Sequence, residues 1–258
     1  MIEDKDSGGV VLFDDGDHRF IWLGADAHGK KGVVQTMQYL IVDKGRGVLL
    51  DPGGVHLFPR VVAAASRYIS LDRIDTIFFS HQDPDVSSGI ALWLGVTSAK
   101  IYISELWIRF IPHFGIVDQA RIAAVESAGK ALRLGSGAEL TFVPTHYMHS
   151  PAAYSLFDKR AGILFTGDVG GAVFPDGDET LYVDDFKAHL KYIEGFHKRL
   201  IVANAVAKRW VDNARRLAPA MIAPQHGAIY RGDSVGAFLD WLGALRCGID
   251  DLDALYRM

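Results

Sequence analysis

Four short stretches of the chain carry residues able to hold metal ions. His81-Gln82-Asp83-Pro84-Asp85 sets three ligand types at alternating positions, and Pro84 stiffens the loop, which lowers the entropy cost of presenting them together. His149 stands in a second stretch, Asp168 in a third (Thr166-Gly167-Asp168) and His226 in a fourth (Pro224-Gln225-His226-Gly227). Position 149 lies 19 before 168, and 168 lies 58 before 226. His and Asp are common in turns, so one such stretch alone says little. Four of them, each just past an apolar run, are hard to ascribe to chance. Three imidazoles and three carboxylates form a mixed nitrogen and oxygen set that suits iron or manganese better than a closed zinc site, although zinc is not excluded by ligand type.

The elements that must position these residues read as alternating strands and helices. Short β-rich runs occur at Val10 to Phe13, Phe20 to Leu23, Met37 to Val42 and Gly47 to Asp51, the last ended by Pro52-Gly53-Gly54. A helix is expected from about Leu57 to Ile69. Ile74 to Phe79 is too short for a helix and reads as a buried strand that stops at Ser80-His81. Ser87 and Ser88 suit the N-cap of a helix reaching about Leu94. Lys100 to Ile103 reads as a strand and Glu105 to Phe114 as a helix closed by Gly115. Strands follow at Leu140 to Val143, Tyr154 to Phe157 and Gly162 to Phe165, then helix in two pieces between Leu181 and Leu217. Ala220 to Ala223 is a last strand, and amphipathic helices begin near Ser234. Loops past strand ends gather at one edge of layered α/β folds, so ligands far apart in sequence can reach one site.

The chain has 258 residues, nearly half of them hydrophobic, with no long linker, low-complexity stretch or repeat. One α/β domain over residues 1–258 is expected. The net charge of −4 argues against a nucleic-acid surface. The polar, acidic start and the lack of a long apolar run argue against a signal peptide or a membrane span. A single cysteine, Cys247, in an apolar helical pattern reads as a buried small hydrophobe and points to the cytoplasm.

These motifs resemble the metallo-β-lactamase superfamily and, within it, the diiron domain of flavodiiron proteins. That family carries His-x-Glu-x-Asp-His, a His about sixty residues on, an Asp near nineteen later and a His near sixty later. His81, Asp83, Asp85, His149, Asp168 and His226 match, as do Asp51-Pro52-Gly53-Gly54, Phe79-Ser80-His81, Gly167-Asp168-Val169 and Ile222-Ala223-Pro224-Gln225-His226-Gly227. The likeness covers essentially the whole chain. His-Gln-Asp-Pro-Asp and Arg109-Phe-Ile-Pro-His113-Phe-Gly115 bring it nearest to the oxygen-binding diiron proteins, single-domain members linked to bacterial oxygen sensing. The resemblance implies an αββα sandwich of two mixed sheets packed face to face with helices outside. It implies two irons, with His81, Asp83 and His149 on one, Asp85 and His226 on the other, and Asp168 bridging beside an oxo or hydroxo group. It also implies a homodimer.

Two positions depart from the flavodiiron pattern. Asp83 stands where those enzymes have Glu, and Val86 follows Asp85 where they have His, which leaves the second metal more open. Zinc hydrolases of the superfamily use His-x-His-x-Asp-His, and Asp83 removes their tri-His site. Two ferrous ions, three carboxylates and a bridging hydroxide sum to near neutrality, which lowers the cost of burying the centre. His146, His28 and Tyr147 are candidates to support the ligands or line the pocket. His113 suits the negative end of a helix.

The leading expectation is a diiron protein that binds O2 or reacts with it slowly, as a sensor or carrier. The first alternative is an O2 or NO reductase served by a separate electron donor. No flavodoxin-type phosphate loop or Rossmann fingerprint is present, so no FMN is expected in this chain. The second alternative is a hydrolase of esters, lactones or phosphoesters using a metal-bound hydroxide, with zinc or manganese in place of iron. Asp83 and Val86 count against it. A signalling protein or an electron donor is the expected macromolecular partner.

Overall fold

The strands β3 (Tyr39–Asp43) and β4 (Arg46–Leu50) carry apolar residues on both faces, so neither face can be left to water. In the computed structural model, which describes residues 9–24, 33–116, 118–176, 178 and 180–256, both faces are covered. Tyr39, Ile41, Val48 and Leu50 point into a core shared with Phe142, Leu156 and Phe165 of a second sheet. Leu40, Val42 and Leu49 point the other way, against α1 (Phe58–Ala65) and α3 (Ile90–Val96).

The first sheet runs β1 (Val10–Asp14), β2 (His18–Trp22), β3, β4, β5 (Ile74–Phe78), β6 (Lys100–Ser104), β7 (Ile122–Val125) in that spatial order. Its first four strands are antiparallel and β4 to β7 are parallel. The second sheet is built from β8 (Ala131–Arg133), β9 (Glu139–Pro144), β10 (Tyr154–Asp158), β11 (Ile163–Phe165), β12 (Met221–Ala223) and β13 (Tyr230–Arg231), again in unbroken order. Only β11 and β12 pair in parallel there. Its outer face, with Phe157, Leu164 and Ile222, packs on α4 (Phe186–Leu200), α5 (Asn204–Leu217) and α6 (Asp233–Ala244). The layers are helix, sheet, sheet, helix, with both sheets mixed, which is the αββα sandwich that the resemblance implies.

Some elements differ from the sequence expectation. The first long helix stops at Ala65 rather than Ile69. Glu105–Phe114 winds as a 3-10 helix with Pro112 inside it, although Gly115 closes it in the left-handed conformation as expected. The helical stretch starts at Phe186, not Leu181, because Tyr182 bridges to Ile229. Strands β7 and β8 were not anticipated. Among the described residues no helix is long and apolar enough to cross a membrane, and Cys247 is a buried free thiol.

The register brings the carboxyl ends of β5, β11 and β12 and the β9–β10 connection to one edge of the sandwich. Hydrogen bonds zip the sheets together there. Tyr154 N–H donates to the Ser80 carbonyl (2.9 Å) and Tyr39 hydroxyl to the Pro224 carbonyl (2.8 Å), while within the second sheet Gln225 N–H donates to the Gly167 carbonyl (2.7 Å). At the opposite edge, His18 of β2 joins the sheets through a different device. Its Nδ1 lies 2.9 Å from Asp43 at the end of β3 and its Nε2 lies 2.7 Å from Asp158 at the end of β10, all three side chains being buried.

Candidate metal centre

The edge formed by the strand ends holds all six ligand-type residues. The strand β5 delivers Ser80 and His81. Asp83 is the N-cap of α2 (Pro84–Ser87), one short turn that also presents Asp85. His149 comes from the β9–β10 connection, Asp168 from the turn after β11 and His226 from the loop after β12. Gly167 lets the Asp168 turn approach β5 closely: its φ is +56°, and a Cβ there would come within 2.7 Å of the Ser80 hydroxyl.

The donor atoms fall into two groups that share Asp168. On one side, His81 Nε2 lies 3.6 Å from Asp83 Oδ2 and 3.7 Å from Asp168 Oδ1, while His149 Nε2 lies 2.9 Å from Asp83 Oδ2 and 3.3 Å from Asp168 Oδ2. Donor atoms of these four residues all lie within 4.8 Å of one another. On the other side, His226 Nε2 lies 3.3 Å from Asp85 Oδ2 and 3.5 Å from Asp168 Oδ1. Spacings of this size suit ligands that each bind one first-row ion at about 2.1 Å.

Two of the imidazoles are oriented by neighbours. His81 Nδ1 sits 2.9 Å from the Ser80 hydroxyl, which in turn donates to buried Asp51. The chain of donors fixes the proton on Nδ1 and turns the Nε2 lone pair inward. His226 Nδ1 donates to the Gln35 carbonyl at 2.8 Å, with the same result. Gln82 ties the loop down: its amide donates to Asp83 Oδ1 (2.8 Å) and accepts from the Ser150 hydroxyl (2.7 Å). By contrast, His81 Nε2 and Asp168 Oδ1 are buried with no hydrogen-bond partner. Buried polar atoms are rarely left so, and a cation between them would satisfy both. The donor set therefore fits a pair of metal ions. Ser80→Ala should weaken metal retention by roughly 10–100-fold, measured by competition with a chelator, because it releases the His81 ring.

The titration of the metal-free chain follows from the same crowding. Burial lowers the basicity of His81, but Asp168, Asp83 and Asp51 outweigh it and hold its pKa at about 9. His226 is also raised, with Asp168 and Asp85 overcoming burial. Asp168 is held well below the usual carboxylate range, because His226, His81 and His149 outweigh the burial that opposes its charge. The hydrogen bond from His149, with the nearby charge of His81, holds Asp83 low as well. Burial pushes Asp51 up to about 7 against the pull of His81 and Ser80. A metal ion entering this cluster must displace imidazolium protons.

The centre opens into a cleft of about 440 Å³. Its walls are apolar, from Val33, Val34, Ala172, Val173 and Phe196, and no Lys or Arg lines it among the described residues. Val86 is fully buried in the core between the first sheet and its helices, so no donor follows Asp85 into the cleft. The remaining candidates lie elsewhere. His146 Nε2 donates to the Ser127 carbonyl at 2.9 Å and its ring packs edge-on against Tyr154; Tyr147 is exposed at a φ of +63°; neither lines the cleft. His28 lies outside the described residues. Sequence reasoning assigned no role to His56, which does line the cleft, nor to Phe196, whose ring stacks on His149. Ser80 and Asp51 were visible only as parts of motifs.

Residues 34–227 match the family described as ODP family beta lactamase. A solved structure of the chemotaxis sensor ODP holding a peroxy diiron species is 58% identical, with a TM-score of 0.87, covering 96% of this chain and 100% of that one. The apo state of the chemotaxis sensor ODP from T. denticola is 56% identical, with a TM-score of 0.86 and coverage of 96% and 99%. The anaerobic nitric oxide reductase flavorubredoxin of Aeromonas salmonicida is 24% identical over 231 residues, 86% of this chain and 44% of that protein. The chain spans about a third to a half of the length of the curated relatives it matches. The rubredoxin oxygen:oxidoreductase of Desulfovibrio gigas, 18% identical with a TM-score of 0.77 and coverage of 87% and 59%, shares the fold.

Proposed function

The chain belongs to the ODP family of β-lactamase-like domains, and on that premise we propose that it is a non-haem diiron protein that binds O2 and serves as an oxygen sensor or carrier. The observation that carries this reading is the paired donor set sharing Asp168, with orphaned donor atoms turned into one space. The diiron species in the 58% identical chemotaxis sensor supports iron over zinc or manganese. His81, Asp83 and His149 would hold one ion, Asp85 and His226 the other, and Asp168 both. A ferrous pair supplies the electrons by which O2 is held.

The protein's own residues do the rest. Asp85 and His226 would supply few protein donors to their ion, because Val86 is turned into the core. The valine and phenylalanine walls admit a small neutral molecule without the desolvation cost that a charged one would meet. His81 and His226 are held in the required tautomer by Ser80 and the Gln35 carbonyl. The same reading takes residues 1–258 as one domain, in the cytoplasm, acting as a homodimer beside a signalling protein.

A second reading, an O2 or NO reductase fed by a separate electron donor, rests on the similarity to the nitric oxide reductase flavorubredoxin. The two are separated by mixing the ferrous protein with O2 and following the visible absorption, with and without rubredoxin and its reductase as the donor. The sensor reading expects a band that persists for minutes and no sustained O2 consumption with the donor. Continuous consumption of O2 or NO with the donor would favour the reductase.

A further inference from the structure

The carboxylate of Asp168 faces three imidazoles, yet its Oδ1 accepts no hydrogen bond. Nothing bonded to Oδ1 holds it in place, so its position depends on how firmly the turn after β11 is anchored. The Gln225 N–H on the Gly167 carbonyl holds the start of that turn, and Gly170 anchors the far side. Its N–H donates to His197 Nε2 at 2.8 Å, and its carbonyl accepts from the Tyr230 hydroxyl at 2.7 Å. Its φ is +90°, and a Cβ there would come within 3.1 Å of the Tyr230 ring, so the site is built for glycine.

His197 is buried in α4, and its Nδ1 donates to the Ile193 carbonyl one turn back at 2.8 Å. That bond leaves Nε2 as a fixed acceptor. Burial keeps the ring neutral, with its pKa lowered to about 4. The preceding residue, Phe196, points from the same helix into the cleft. Its ring stacks on His149, with centroids 5.7 Å apart and planes 19° apart. His149 needs such support, because its Nδ1 has no hydrogen-bond partner.

We infer that Phe196 and His197, adjacent on α4, are the positioning residues that set His149 and Asp168 relative to one another, so that one helix fixes the geometry of the metal pair. The inference rests on the reading of the centre as a metal site. Ligand sets work when their supports hold them to within a fraction of an ångström, and α4 reaches the His149 ring through Phe196 and the turn that carries Asp168 through His197.

The test compares His197→Leu with His197→Gln in the full chain, each loaded with ferrous iron without air. Leu leaves the Gly170 N–H unpaired, whereas the Gln amide oxygen reaches a similar point. His197→Leu should lose iron to a chelator at least tenfold faster than wild type and show altered Mössbauer parameters. His197→Gln should return both towards wild type. A folded His197→Leu chain with unchanged iron retention and spectrum would overturn the inference. Should His197→Leu fail to fold, Phe196→Leu at the half-buried cleft wall decides: a shifted spectrum of one iron supports the inference, and an unchanged one overturns it. A wild-type chain that takes up no iron would sink the reading of the centre itself and the inference with it.

Discussion

Asp168→Ala should strip both ions from the chain and abolish any absorption band that O2 produces, while the protein stays folded. The Asp168 carboxylate lies within 3.3 to 3.7 Å of His81, His149 and His226, and it is the side chain that belongs to both donor groups. Without it, three imidazoles share only Asp83 and Asp85. The positive charge of two ions would then be balanced by one carboxylate each, in a site that is largely buried. Asp85→Ala is the matched control. It weakens only the group containing His226, so about one ion should remain, held by His81, Asp83, His149 and Asp168. Elemental analysis of the two variants reads the difference. An Asp168→Ala chain that kept two ions and a normal spectrum would refute the shared-carboxylate arrangement.

His18→Ala should cost about 3–5 kcal/mol of folding stability, a large part of the roughly 5–15 kcal/mol typical of a domain. Both ring nitrogens face carboxylates, so the ring is doubly protonated and bridges the two sheets. Removing it leaves Asp43 with Ser136 and, at 3.8 Å, the Arg160 guanidinium, and Asp158 with the Arg160 and Ala161 N–H groups, so the imidazolium that joined the two carboxylates is lost. The pH dependence has a definite sign. Burial lowers the pKa of His18, but Asp158 and Asp43 outweigh it and raise it above its ordinary value. Its contribution is therefore complete below about pH 6.5 and is lost as pH rises through the raised folded value. Asp43 goes the other way: His18 and Ser136 overcome burial and lower it, so its share is present above about pH 3.9 and lost as pH falls through the depressed value. Urea unfolding of the metal-free chain between pH 6 and 9 should show a steeper decline in wild type than in His18→Ala, whose remaining decline comes from His81 and His226. Equal slopes would mean that His18 is not the titrating bridge.

The strands that deliver the site were legible because each is an apolar run ending in polar turn residues, and Ile74–Phe78, Ile163–Phe165 and Met221–Ala223 lie where that pattern puts them. Strands β7 and β8 were not legible. They are four and three residues long and carry exposed or half-exposed positions, so no period-two signal survives, and pairing to β6 and β9 makes them strands. The 3-10 winding of Glu105–Phe114 is a tertiary choice that the helical pattern does not distinguish. The ligand types could be named from their place after strand ends, whereas their supports could not. His197 reads in sequence as one more helical residue, and only the packing shows it bound to Gly170, 27 positions away. His18 likewise meets Asp158 across 140 positions, in a contact that no local pattern records.

We propose that this edge of the sandwich holds a pair of irons that meets O2. It is tested most directly by the metal content of the chain, produced with ample iron and purified without air, followed by its absorption spectrum before and after O2. The predicted result is about two irons per chain and a new visible band on oxygenation, matching the two donor groups around Asp168. Two zincs per chain, or two irons with no spectral response to O2, would contradict it and move the site towards hydrolytic chemistry.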